Sequence, residues 1–218
     1  ILDTKAAIRF LRSHAGELKL NTDKFVIMGY SSGANLAALA AASSDNAAFT
    51  TGLQSLGAEE SSDKVALAVA FYGHYNEDTH YPQYAWLTGE ENAEYDTLYA
   101  NYQAQRAAFD AAYDIPYEYD PNWVNPKLGK PNAQAKDLID IMNPATFGAP
   151  DNAPILLLHG EMDSAVNFLQ SVDLARALEA AGADVELILV PEAEHGADFH
   201  AIYGMDEVFN WINGKLKE

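Results

Sequence analysis

The sequence predicts an α/β fold, a mostly parallel sheet flanked by helices, interrupted by one long insertion rich in tyrosine and tryptophan. Three observations predict it. Four short apolar runs lack polar alternation, as strands buried on both faces of a parallel sheet do: Lys24–Tyr30, Lys64–Tyr72, Pro154–His159 and Asp184–Val190. Helix-forming stretches follow three of them, at residues 33–43, 167–181 and 205–216. Strand and helix alternate along the chain, and that order builds a parallel sheet.

The chain opens on a helical stripe over residues 4–19, where Ile8, Leu11, Ala15 and Leu18 recur at spacings of three, four and three. Asn21, Thr22 and Asp23 form a turn. The first strand runs into Gly29-Tyr30-Ser31-Ser32-Gly33, and an Ala- and Leu-rich helix follows. After a polar stretch at 45–62, the second strand closes at Gly73. The third strand, PILLLH, leads into a helix over Asn167–Ala181 that Gly182 stops. The fourth, DVELILV, leads to a terminal helix with a stripe at Met205, Val208, Phe209, Ile212 and Leu216.

Residues 74–143 break the rhythm. They hold nine of the twelve tyrosines, Trp86 and Trp123, and twelve acidic against four basic side chains. So long a stretch between two strands is not a bare loop in a compact domain. Helices are expected at Ala93–Ala112 and Pro131–Ile141. The chain therefore divides into a core, 1–73 with 144–218, and an insertion, 74–143, expected to cap the active edge of the sheet. Its aromatic rings are expected either to wall a site for a sugar or aromatic acyl group, Trp86 among them, or to form a small core of their own.

Bulk composition narrows the function. The 218 residues carry a formal charge of −19, from 13 basic and 32 acidic side chains. That field repels phosphate backbones and anionic membrane surfaces, which argues against nucleic acid as a partner. No apolar run approaches the ~20 residues of a membrane-spanning helix. The absence of cysteine excludes a disulfide scaffold, a thiolate metal site and a cysteine nucleophile, and leaves the compartment open. No cofactor is called for. The six histidines offer no metal spacing, since His195 and His200 are five apart on no common helical face.

The chemistry gathers at strand exits, where α/β sheets meet their ligands. Gly29-Tyr30-Ser31-Ser32-Gly33 is a G-x-S-x-G corner between an apolar strand and a helix, the context that turns such a motif into an exposed, strained nucleophile. The alternative is a packing turn. The following helix aims its positive end at Ser31, and the amide of Ser32 is suited to hold an oxyanion. A serine needs a base, and the base an orienting acid. Asp163 follows the third strand and His195 the fourth, giving the chain order Ser, Asp, His.

Each candidate has a rival. Asp163 also suits the cap of the next helix. Glu161, Glu192 and Glu194 are neighbouring carboxylates; Asp151 precedes a strand and Asp173 lies within a helix. His200 competes with His195 but belongs at the start of the final helix. His159 ends a strand inside the sheet, where a hydrogen-bonded structural role is expected.

The stretches KAAIRFLRSHAGELKLNTDKFVIMGYSSGANLAALAA, PILLLHGEMDSAV and SVDLARALEAAGADVELILVPEAEHG resemble the α/β-hydrolase superfamily. The resemblance is to its esterase/lipase branch, the hormone-sensitive-lipase-like and feruloyl- or acetyl-esterase-like enzymes. It covers most of residues 4–43 and 153–196 and implies a serine hydrolase of carboxylic esters. Ser31 is then the nucleophile, Asp163 the acid and His195 the base, with Ser32, Tyr30 and Trp86 at the oxyanion and substrate. A small-molecule ester, such as an acylated sugar or an aromatic acyl ester, is the implied substrate. A prolyl-oligopeptidase-like peptidase shares the layout, and a non-catalytic binding protein on the same fold is the third reading.

The resemblance begins part-way into the family pattern. Relatives carry a His-Gly-Gly-Gly-like oxyanion loop and several strands before the nucleophile; this sequence starts with Ile1 close to that helix. The chain is accordingly expected to be the C-terminal portion of the fold, lacking its second oxyanion donor. Its 24–30 strand would then be an apolar edge, covered by a missing N-terminal segment or by self-association.

Overall fold

A computed structural model of the protein describes residues 1–49, 60–76, 140–163 and 165–217. Among these residues, four strands form one parallel sheet in the order β1-β2-β3-β4: β1 Val26–Tyr30, β2 Leu67–Phe71, β3 Ile155–Gly160 and β4 Val185–Val190. Helices that lie wholly within the described residues are α1 Leu2–Ser13, α2 Ala15–Leu18, α3 Ser32–Ala42, α4 Leu169–Ala180, α5 Ala197–Ile202 and α6 Met205–Lys215.

The central strands alternate between two cores. Ala68 and Ala70 of β2, with Ile155 and Leu157 of β3, face Ile8 of α1, Ala34, Ala38 and Ala41 of α3, and Leu174 and Leu178 of α4. Val69 and Phe71, with Leu156 and Leu158, face Phe199 of α5 and Val208 of α6. The sheet is thus sandwiched between helices. Alanines on both α3 and β2 let that helix lie close on the strand. The three leucines of β3 are fully buried, each worth about 1.5–3 kcal/mol.

The outer strands are less buried than a run apolar throughout implies. β1 and β4 are the two edges of the described sheet, and most of their residues are only half-buried. On β1, Ser31 N–H donates to the carbonyl of Phe71 at 3.0 Å, and the carbonyl of Phe25 accepts from Ala66 at 2.7 Å. Alternate residues therefore face β2, and the main chain of Val26, Met28 and Tyr30 faces away from it.

The first helix differs from its expected stripe. Ile8 is buried, but Leu11 and Leu18 are exposed, and the helix breaks at His14 before the short α2. What α1 buries besides Ala6 and Ile8 is charge. Lys5 Nζ donates to Asp63 Oδ1 at 3.0 Å and to the carbonyl of Ser43 at 2.7 Å, and Arg9 Nη2 donates to Asp63 Oδ2 at 2.7 Å. Hydrophobic spacing cannot register a face held by ions.

At the other end of the chain, His200 lies within a separate short helix, α5, and the terminal helix starts only at Met205, contrary to the expected place of His200 at its start. Phe209 is exposed where the α6 stripe placed it inward. Most of the 74–143 insertion, with its expected helix at 93–112, lies outside the described residues, as does most of the one at 131–141. The described neck of that stretch is clamped. Gln170 Oε1 accepts from Tyr75 and Asn76 N–H at 3.1 and 2.9 Å, and Asn35 Nδ2 donates to the carbonyl of Met142 at 3.2 Å.

Candidate active site

Ser31 stands between the last residue of β1 and the first of α3 with φ 52° and ψ −122°. A non-glycine residue in that region is strained, and such strain collects at functional corners. Gly29 makes the corner sterically attainable, because a Cβ there would overlap the carbonyl of Gly33. The side chain of Ser31 is half-buried, while Tyr30 and Ser32 are exposed on either side. The first amides of α3 have no earlier carbonyl within the helix to bind, so Ser32 N–H is oriented as a free donor at the helix's positive end.

Asp163 and His195 come from different loops that the backbone ties together. Beyond β3, Glu161 N–H donates to the carbonyl of Val190 and Met162 N–H to that of Ala193, both at 3.1 Å. The approach is so close that a Cβ on Gly160 would overlap the Ala193 carbonyl. With the loops joined, His195 Nδ1 lies 2.7 Å from Asp163 Oδ2. The other carboxylate oxygen accepts N–H from Ala165 and Val166 at 2.9 and 2.8 Å. Asp163 thereby organises its own turn and does not cap α4, whose first amide is bound by Asn167.

Burial alone would raise the carboxyl of Asp163. The hydrogen bonds from His159 and His195, the nearby His159 ring and the Val166 amide outweigh it, and the carboxyl is held down at about 2. Asp163 is therefore a carboxylate at neutral pH. Its bond takes the Nδ1 hydrogen of His195, which leaves Nε2 as the nitrogen available to act as a base.

The end of β2 connects these parts. Phe71 accepts the Ser31 amide, and the next residue, Tyr72, has its ring 4.5 Å from that of His195. Tyr72 takes an unusual φ of 41°, and its hydroxyl lies 3.1 Å from Nε2 of His200. Burial raises its phenol, reinforced by Tyr30 and by the Asp163 carboxylate, so the hydroxyl stays neutral. Tyr30 stacks on Phe71 at 4.8 Å and meets His200 edge-on at 5.3 Å.

Of the residues singled out from the sequence, the structure thus joins Asp163 to His195 directly. Ser31, Ser32 and Tyr30 are set beside the end of β2, next to Tyr72. No hydrogen bond links Ser31 Oγ to His195 in this structure. Trp86 lies outside the described residues. Tyr72 and the double contact of Asp163 were missed. The only sequence signal for either was the short spacing from His159 to Asp163 past a strand end. Among the described residues, no group of three or more histidine, aspartate or glutamate side chains is arranged to hold a metal ion.

The BD-FAE family model matches residues 1–119, and that of the prolyl oligopeptidase family matches residues 85–218. The chain belongs to the α/β-hydrolase superfamily. It is 29% identical over 210 residues to esterase LipQ of Mycobacterium tuberculosis (strain ATCC 25618 / H37Rv), a match that covers 92% of this chain and 39% of LipQ. The chain thus spans well under half the length of that curated relative.

Solved structures agree on the fold. A truncated form of a carbohydrate esterase from gut microbiota superposes with a TM-score of 0.71 at 22% identity, over 100% of this chain and 68% of that one. A bifunctional GH43-CE protein of Bacteroides eggerthii gives 0.69 at 24% identity, over 99% of this chain and 25% of that one. The propionate-bound esterase Est2 of Thermogutta terrifontis gives 0.57 at 19% identity, over 99% and 61% respectively.

Proposed function

We propose that this α/β-hydrolase is a serine carboxylester hydrolase with Ser31 as nucleophile, His195 as base and Asp163 as acid. The observation that carries the reading is the 2.7 Å bond between Asp163 and His195 at the same end of the sheet as the strained Ser31. Nε2 of His195 takes the proton of Ser31 Oγ as the oxygen attacks the ester carbonyl. Asp163 holds the imidazole in the Nδ1–H tautomer and stabilises its charged form. The amide of Ser32 holds the oxyanion. Water then releases the acyl group through the same histidine. Catalytic hydrogen bonds are often open without substrate and tighten in the complex, so the unbonded Ser31 Oγ is compatible with this role.

The substrate proposed is an acylated sugar or an aromatic acyl ester. Support comes from the exposed Tyr30 ring beside Ser31, from the tyrosine- and tryptophan-rich composition of the 74–143 stretch, and from a structural relative described as a carbohydrate esterase. The prolyl oligopeptidase family match over residues 85–218, which contain Asp163 and His195, favours peptidase activity as the second reading. Labelling with a fluorophosphonate probe tests for an activated serine, and no labelling would return the chain to a binding role. A panel of p-nitrophenyl esters, acetylated and feruloylated sugars and dipeptide amides then separates the two activities. Turnover of amides but not esters would overturn the esterase reading.

A further inference from the structure

The carboxylate of Asp163 serves two imidazoles. Its Oδ2 lies 2.7 Å from Nδ1 of His195 and 3.2 Å from Nε2 of His159. Its Oδ1 is already taken by the amides of Ala165 and Val166. His159 is fully buried and held at both ring nitrogens. Nε2 lies 2.9 Å from the carbonyl of Val166, and Nδ1 lies 2.7 Å from the hydroxyl of Ser171 on α4. A carbonyl only accepts, so the Nε2 nitrogen carries the hydrogen. It points to the Val166 carbonyl at 2.9 Å, and Oδ2 of Asp163 lies within reach of the same nitrogen at 3.2 Å. His195 therefore competes for the oxygen it depends on.

We propose that His159 is a positioning residue for the acid: its Nε2–H occupies part of Oδ2 of Asp163 and so sets how strongly that oxygen binds the imidazole of His195. The proposal rests on the reading of His195 as the base. His159 touches no reacting atom and acts through Asp163. A second donor on Oδ2 neutralises part of the carboxylate charge that would otherwise favour the imidazolium. His159 and His195 thus draw on one carboxylate oxygen, at 3.2 and 2.7 Å. The other ionisable groups around the pair are Tyr72 from β2, His200 bonded to it, and Glu192 and Glu194 on the loop of His195 itself. Asp173 and Arg176 of α4 interact with one another. All of these are common to the wild-type chain and to variants at His159.

The test is an NMR titration of the His195 ring in the whole chain, which needs no substrate. His159→Leu removes the donor, and the His195 midpoint is expected to rise by about half to one pH unit. His159→Gln can return a nitrogen donor to the Nε2 position and is expected to titrate close to wild type. An unmoved midpoint in His159→Leu, or equal movement in both variants, would overturn the proposal. Should His159→Leu not fold, the wild-type chain still decides. The ¹⁵N signal of His159 Nε2 is expected to follow the titration of His195, and a signal indifferent to it overturns the idea. A chain that titrates as expected yet hydrolyses no ester keeps the positioning and loses the esterase. Where esters are turned over, the acidic limb of kcat/KM moves with the NMR midpoint.

Discussion

Gly29 and Gly33 meet backbone to backbone at the turn that carries Ser31. A Cβ on Gly29 would overlap the Gly33 carbonyl and lie 2.8 Å from the amide of Ala34, whereas a Cβ on Gly33 would meet nothing within 4 Å. The two glycines of the corner are therefore not equivalent. Gly29→Ala is expected to cost about 1–3 kcal/mol through overpacking and to abolish fluorophosphonate labelling. Gly33→Ala, in the first turn of α3, is expected to keep the fold and gain up to about 1 kcal/mol. Urea unfolding of both variants checks the contrast, and equal losses would defeat it.

That contrast marks the limit of what the sequence made legible. The motif announced a corner at Ser31, and the runs around Val69 and Leu157 announced strands, because burial on both faces leaves a continuous apolar signature. The positions of Asp163 and His195 after strand ends followed from element order alone. What stayed hidden depends on contacts between distant segments. Lys5 and Arg9 look like solvent-facing charges until Asp63 arrives from more than fifty residues away. Tyr72 reads as the end of a strand, and only the fold brings its ring to His195.

Removing the nucleophile or the acid of the proposed triad should have a distinct cost. Ser31→Ala is expected to lower kcat by about 10⁴–10⁶. Asp163→Asn is expected to lower it by about 10⁴, because the amide favours the wrong tautomer of His195. Substrate KM should change little in either. Steady-state kinetics on a p-nitrophenyl ester checks this, and activity unchanged in Ser31→Ala would end the assignment.

Acid stability follows from the same carboxylate. Asp163 is held at about 2, below the 3.8 of an ordinary aspartate. A depressed carboxyl contributes stability that is complete above the unfolded value and is lost as pH falls through the folded one. The window here runs from about 4 down to about 2, and the contribution is on the order of 2 kcal/mol. Urea midpoints should fall across that window in the wild-type chain. Asp163→Asn should be less stable at pH 7 and show a shallower decline; an identical decline would assign the acid sensitivity elsewhere.

Among the described residues no strand pairs with the outer side of β1, and that predicts association. The main chain of Val26, Met28 and Tyr30 faces away from β2, and Phe10, Leu11 and Leu18 are exposed on the helices before the strand. Unpaired apolar edges recruit other strands. The 218-residue chain is expected to self-associate on dilution-series gel filtration. Val26→Pro removes one outward-facing donor at the first position of an edge strand, where proline is tolerated, and should shift the chain toward monomer. A wild-type chain monomeric at high concentration would show that this edge is already covered.

The ion cluster beneath α1 sets the last prediction. Asp63 accepts from Lys5, from Nε and Nη2 of Arg9 and from the amide of Asp45. Burial would raise its carboxyl, but the Asp45 amide, Arg9 and Lys5 together hold it below the usual range. Lys5 is fully buried, and the loss of water lowers its ammonium against the pull of Asp63. Asp63→Asn would strand two buried cations, and breaking such a pair costs about 3–5 kcal/mol. Lys5→Met removes one cation with its desolvation penalty and leaves Asp63 paired with Arg9, so its cost should be clearly smaller. The ordering is measured by urea unfolding at neutral pH. Equal costs would mean that Asp63 is not the centre of the cluster, and that the Ser43 carbonyl and the Asp45 carboxylate hold α1 in place without it.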